Sequence, residues 1–90
     1  MIRTMAIQVE RSFRGISERL AIRYLENLGG ERTGERLVEG NDWAASLSSS
    51  TVQIGPTLEL TEVTVTFDGS EATLDELIPR FARKAMRAGG

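Results

Sequence analysis

Cysteine and histidine are both missing from this chain. Without cysteine there is no disulfide, no thiolate nucleophile and no sulfur-rich zinc or iron site; without histidine the commonest metal ligand and the commonest general base are gone. Any catalysis would fall to carboxylates, Ser or Thr hydroxyls, Tyr24 or the single lysine, Lys84. The expectation is a protein that is not an enzyme and that holds no cofactor and no metal. Long apolar runs are lacking too: nothing approaches the roughly 18 residues of a membrane span, and the N-terminus has no signal-like apolar stretch, so the expected location is cytoplasmic. A dominant charge sign is also absent. The net charge is −2 and the cations are almost all arginine, which argues against nucleic acid or membrane as the partner.

What is present fits one small folded domain spanning residues 1–90. Apolar residues make up 40% and charged residues 27%, ordinary values for a chain that folds rather than stays disordered. The core will be thin, because a domain of this size removes only about 60–65% of its unfolded surface from water. With no cross-links, packing must carry the stability.

Over residues 4–13 the apolar positions Met5, Ile7, Val9 and Phe13 share one parity, the signature of a half-buried strand. Met5 is also a possible start of the chain. After Gly15 the period changes: Ser17 is placed to cap a helix, and Leu20, Ala21, Tyr24, Leu25 and Leu28 fall on one helical face. Gly29 and Gly30 should end it, since a residue without Cβ closes a helix in the left-handed conformation. A strand is expected over residues 32–38, a turn at Gly40, Asn41 and Asp42, and a second strand carrying Trp43, Ala45 and Leu47. Ser48, Ser49 and Ser50 read as another turn, followed by a short third piece with Val52 and Ile54 that ends at Gly55 and Pro56. Pro56 cannot donate to a ladder.

Residues 57–67 form the strongest strand signal, rich in Thr and Val. Its parity slips from Leu58 and Leu60 to Val63, Val65 and Phe67, which predicts a β-bulge near Thr61 and Glu62. A second helix follows. Thr73 and Glu76 have capping-box spacing, Leu74, Leu77, Ile78, Phe81, Ala85 and Ala88 make its apolar stripe, and Pro79 should kink it or mark a restart. The expected class is α+β in the order β-α-β-β-β-β-α, a curved antiparallel sheet packed against helices, with ferredoxin-like and β-grasp folds as alternatives.

Two constellations carry functional weight. Arg80, Arg83, Lys84 and Arg87 recur at i, i+3, i+4 and i+7, a single-sign patch suited to an acidic protein partner; it is also what a solvated helix face near a C-terminus would carry without any function. Arginines 11, 14, 19 and 23 would extend the patch if the two helices lie side by side. The second constellation is Gly89 and Gly90, since ubiquitin-like modifiers and sulfur carriers are activated at a C-terminal Gly-Gly. A given pair of positions is Gly-Gly by chance about once in two hundred chains, and Gly89 also suits a helix cap. Beyond the helix, two residues reach only about 7 Å. Glycines 29, 30 and 34 match no phosphate-loop spacing. Serines 46, 48, 49 and 50 lack a base. Trp43 sits on the apolar parity of its strand and reads as core.

The predicted element order, Phe13-Arg14-Gly15 before the first helix, Ile54-Gly55-Pro56 before the long strand, and the closing stretch over residues 81–90 together resemble the domain that follows the MoaD-like domain in MoaD-related proteins. The resemblance covers nearly the whole chain and rests on short phrases, with no catalytic motif among them. It implies a fold like the TATA-box-binding protein repeat and no assigned activity. No MoaD-like β-grasp precedes the domain here, so the resemblance implies a stand-alone accessory protein of molybdopterin synthesis or sulfur transfer, with a MoaD-like carrier or its activating enzyme as partner. Small archaeal modifier proteins that resemble MoaD and end in Gly-Gly are the alternative. A further alternative is a small apolar ligand enclosed between sheet and helix near Trp43.

Overall fold

The computed structural model describes residues 6–89. The elements are β1 (Ala6–Arg14), α1 (Glu18–Asn27), β2 (Glu31–Gly34), β3 (Leu37–Glu39), β4 (Trp43–Gln53), β5 (Glu59–Ser70) and α2 (Glu71–Gly89). One antiparallel sheet holds all five strands in the order β1-β5-β4-β3-β2. The two alternatives are set aside by element order: a ferredoxin-like domain runs β-α-β-β-α-β and a β-grasp opens with two strands, whereas here four strands separate two helices.

The sheet buries one face. Val63, Val65 and Phe67 of β5, Ala45 and Leu47 of β4 and Val38 of β3 point the same way and are buried against Ala21, Ile22 and Leu25 of α1 and Leu74, Leu77, Phe81 and Ala85 of α2. Every buried side chain among the described residues is apolar, which avoids the cost of burying an unpartnered polar group. Ile7, Val9 and Phe13 of β1 are half-buried at its margin. Phe81 is the common neighbour of three other rings, Phe13, Phe67 and Tyr24, at centroid distances of 5.1, 5.7 and 6.2 Å, all edge to face.

Local signals explain the helix ends. The Ser17 side chain accepts the Leu20 N–H and starts α1. At the other end Gly29 has φ 105, and the N–H groups of Gly29 and Gly30 donate to the carbonyls of Glu26 and Leu25, the paired bonds of a Schellman closure. α2 starts a turn before Thr73 because Ser70, the last residue of β5, is its cap: the Ser70 hydroxyl accepts the Thr73 N–H at 3.3 Å and donates to the Thr73 hydroxyl at 2.8 Å. Strand therefore passes into helix with no loop. α2 continues through Pro79 without a break. Pro79 and Asp75 are both exposed, so the Asp75 carbonyl that loses its N–H partner can be hydrated.

The cap of α2 is thus Ser70 rather than Thr73, Pro79 marks no restart, and three further expectations about the strands are corrected. The strand over residues 32–38 is two strands, because Gly34 and Leu37 pair across a tight turn at Glu35 and Arg36. The serines at 48–50 are not a turn: they pair with Thr64, Val63 and Glu62 inside one continuous β4, which absorbs Val52 as well. The strand count survives because one element splits while two fuse. There is also no bulge in β5, whose register runs unbroken from Glu59↔Gln53 to Ser70↔Ala6. A central strand bonded on both sides has little room for an extra residue; the ladder irregularity falls instead between Arg32 and Gly34 on the edge. β5 itself starts at Glu59, after a loop at Gly55 and Pro56. Met5 and Gly90 lie outside the described residues.

Phe81→Ala should lower unfolding free energy by about 3–5 kcal/mol, a large share of the about 5–15 kcal/mol typical of a domain. Urea titration followed by circular dichroism measures this, and Phe13→Ala, at the half-buried margin, should cost less.

Candidate functional site

Leu74, Leu77, Phe81 and Ala85 pin one side of α2 to the sheet, so the residues between them must face away. Arg80 and Arg83 are exposed and Lys84 is half-buried. With Leu28, the C-cap of α1, these three cations line an open depression of about 350 Å³ that no carboxylate enters. A neighbouring depression of about 200 Å³ shares Leu28 and Arg80 and is completed by Trp43, Thr73, Glu76 and Leu77. The two form a groove beside α2 with an apolar floor and a cationic end. Among the described residues none of the three cations is in a salt bridge. Like charges one turn apart repel by a few tenths of a kcal/mol, and the C-terminal half of the helix offsets part of that. Such a site attracts carboxylates or other anions. Arg87 shares the helix, but its side chain is outside the described set.

The other arginines do not join the patch. Arg14 lies on the opposite face of the sheet, where its Nε is 3.1 Å from Glu62. Arg11 stands on β1 and donates to the Glu10 carbonyl. α1 does lie beside α2, but it turns Tyr24 and Leu28 toward α2 and leaves Arg19 and Arg23 on its far flank. There they line a separate depression with Glu18, Glu26, Arg32, Glu35 and Arg36. That depression is largely neutralised from within. Arg36 Nε is 3.2 Å from Glu18, and Arg32 donates to the carbonyls of Gly34 and Glu35 at 3.0 Å each, holding the β2–β3 turn.

The structure supplies Ser49 with a carboxylate acceptor that sequence alone does not show, because Glu18 is 31 positions away. The Ser49 hydroxyl donates to Glu18 at 2.5 Å. Glu18 is also held by Arg36, so the pair reads as a brace between β4 and α1. Serines 46, 48 and 50 sit on the outer face of β4. Trp43 packs against the core margin, and a Cβ on Gly40 would overlap its indole. Close backbone approach, rather than an enclosed chamber, thus surrounds Trp43, and both depressions beside α2 are open to solvent. Gly29 and Gly30 act as a cap and Gly34 as a turn residue, as their spacing suggests. Gly89 is the last residue of α2, and Gly90 is outside the described residues.

No group of three or more metal-ligating side chains occurs among the described residues, and no helix there is long and apolar enough to cross a membrane. The model of a family described as archaeal MoaD-like protein matches residues 9–90 of the chain. A comparison with curated proteins gives no match.

Neutralising Arg80, Arg83 and Lys84 together to Ala should change stability by no more than about 0.5 kcal/mol, as expected where no structural contact is lost. Glu18→Ala should cost about 1 kcal/mol by leaving Arg36 and Ser49 without their shared acceptor. Urea midpoints compare the two.

Proposed function

The chain belongs to the archaeal MoaD-like protein family, and from that premise we propose that it is a non-enzymatic accessory domain of a MoaD-like sulfur-carrier system, working by contact with another protein. The family match over residues 9–90 supports the pathway. The observation that carries the mode of action is the groove beside α2, where three cations that form no salt bridge among the described residues gather at one end of an apolar floor, with Glu76 the acid at the other end. An acidic surface with one apolar contact is the partner chemistry such a groove selects, and charge there raises the rate of encounter more than the final affinity. The partner is a MoaD-like carrier or the enzyme that activates it. The fold is that of a TATA-box-binding protein repeat, a reading supported by the order β1-β5-β4-β3-β2 with two helices on one face.

Mixing the purified chain with a MoaD-like carrier, and separately with its activating enzyme, tests this by calorimetry. One of the two should bind with an affinity that falls as salt is raised. Arg80→Glu with Arg83→Glu should abolish that binding and leave the melting temperature within a few degrees. Failure of both partners to bind at low salt, or binding indifferent to the double reversal, sinks the reading.

A second reading rests on one observation: the family match extends over Gly89 and Gly90. On that reading the chain is itself a small modifier or sulfur carrier, activated at the Gly90 carboxylate. α2 holds Gly89 in its last turn, so activation would require that turn to unwind and present an extended tail. Incubation with the activating enzyme and ATP, followed by intact-mass measurement, decides it. A thiocarboxylate or a conjugate that disappears when residues 89–90 are deleted supports the carrier; an unchanged mass retires it.

A further inference from the structure

The β4–β5 hairpin extends beyond the rest of the fold. β1 leaves β5 at Arg14↔Glu62, with one further bond from the Gly15 N–H to the Thr61 carbonyl, and β3 leaves β4 at Ser46. Past that line only two strands remain, paired through Thr51↔Thr61, Val52↔Leu60 and Gln53↔Glu59, and then by the Ile54 N–H to the Leu58 carbonyl at 2.8 Å. The arm over residues 51–61 accounts for much of the elongation of a molecule measuring 56 × 23 × 20 Å. Alternation along a strand puts Val52, Leu60, Ile54 and Leu58 on one face, and none of the four belongs to the core or packs against it. Ile54 is 46% and Leu58 54% exposed, while Thr51, Gln53, Glu59 and Thr61 take the other face.

This face is continuous with the uncovered side of the sheet, whose charge is uneven. Nearest the arm, Glu62 is paired with Arg14 and the side chains between strands are hydroxyls, with Ser12 and Thr64 bonded at 3.0 Å. The carboxylates that form no salt bridge among the described residues stand farther off: Glu10 is level with Thr66, Asp68, which accepts from Gln8, is level with Ala44, and Glu39 lies between Ala44 and Glu31. An apolar ladder without net charge is complementary to itself. Stacked antiparallel across a two-fold axis, two arms bury each other's ladders at the sheet-to-sheet spacing of about 10 Å, and each acidic region is carried to the opposite end of the pair. Superposing the whole faces instead would set like charges against each other.

We infer that the arm is a self-association surface: two copies of this chain pack Val52, Ile54, Leu58 and Leu60 face to face in an isologous dimer. The contact is small, below the roughly 1,200 Å² of a standard interface, so the dimer is weak and concentration-dependent. It leaves the basic groove beside α2 open in both subunits.

Sedimentation equilibrium of the full chain from about 1 µM to about 1 mM, a range that spans weak association, tests the inference. A monomer–dimer equilibrium is expected, with a Kd nearly independent of salt because the buried face carries no net charge. Leu58→Asp and, separately, Ile54→Asp should each raise that Kd by roughly tenfold or more, a penalty of the size set by burying an unpaired charge. Circular dichroism and melting temperature should stay unchanged, since both positions are outside the core. Glu31→Lys, far from the arm, should leave the Kd alone. A chain that remains monomeric throughout overturns the inference, and the ladder then serves a different protein or a lipid surface. A dimer untouched by Leu58→Asp, or one that dissolves in salt, overturns it equally.

Discussion

The ring of Phe81 holds the fold together at one point. It stands edge to face against Phe13 of β1, Tyr24 of α1 and Phe67 of β5, so a single side chain ties both helices to two neighbouring strands. In a domain without cysteine, such a node does the work that a cross-link does in other small proteins. Its position also fixes where α2 lies and how it is rotated. Arg80 and Arg83 flank Phe81 in sequence and Lys84 is three residues on; once the ring is seated, the three cations are committed to the solvent side beside Leu28. The site inherits its geometry from the core.

Charge is distributed by layer. Among the described residues the exposed side of the sheet carries Glu10, Glu31, Glu39, Glu62 and Asp68 against Arg14, whereas the helix layer is mixed: Arg19 and Arg23 stand among Glu18, Glu26 and Glu35, and Arg80, Arg83 and Lys84 form one local cationic cluster. A chain whose net charge is only −2 thus has an acidic sheet face and a small basic groove on the other side, and a formal total near zero conceals both.

Much of this was legible in the order of residues. Local chemistry decides several elements: Ser17 and Gly29 bracket α1, the α2 stripe from Leu74 to Ala85 faces the core, with the Ala88 side chain outside the described set, and Gly40 to Asp42 form a turn. The reading failed where partners distant in sequence override local preference. Three consecutive serines look like a break, yet β5 supplies Thr64, Val63 and Glu62 opposite them, and pairing on that scale outweighs weak strand propensity. The parity slip in β5 was real, but its cause was misread. Val63, Val65 and Phe67 face the helices, while Leu58 and Leu60 belong to an arm with no helix beneath it, so two parts of one straight strand obey different surroundings. The cationic site was legible as a helix periodicity; its apolar floor was not, because Leu28 and Trp43 reach it from other elements. Likewise, the dispersal of Arg14, Arg19 and Arg23 follows from which flank of α1 meets α2, which no spacing reveals.

The placement of β5 between β1 and β4 carries a cost in time. Arg14 pairs with Glu62 and Ala6 with Ser70, so among the described residues β1 finds its strand partner only across β2, β3 and β4. Until that partner docks, its apolar parity has no ladder to join. Closing so long a span is an entropic search that slows folding, and an unpaired strand is open to wrong partners while it waits. Misassembly should thus begin at β1, the strand whose partner lies farthest along the chain.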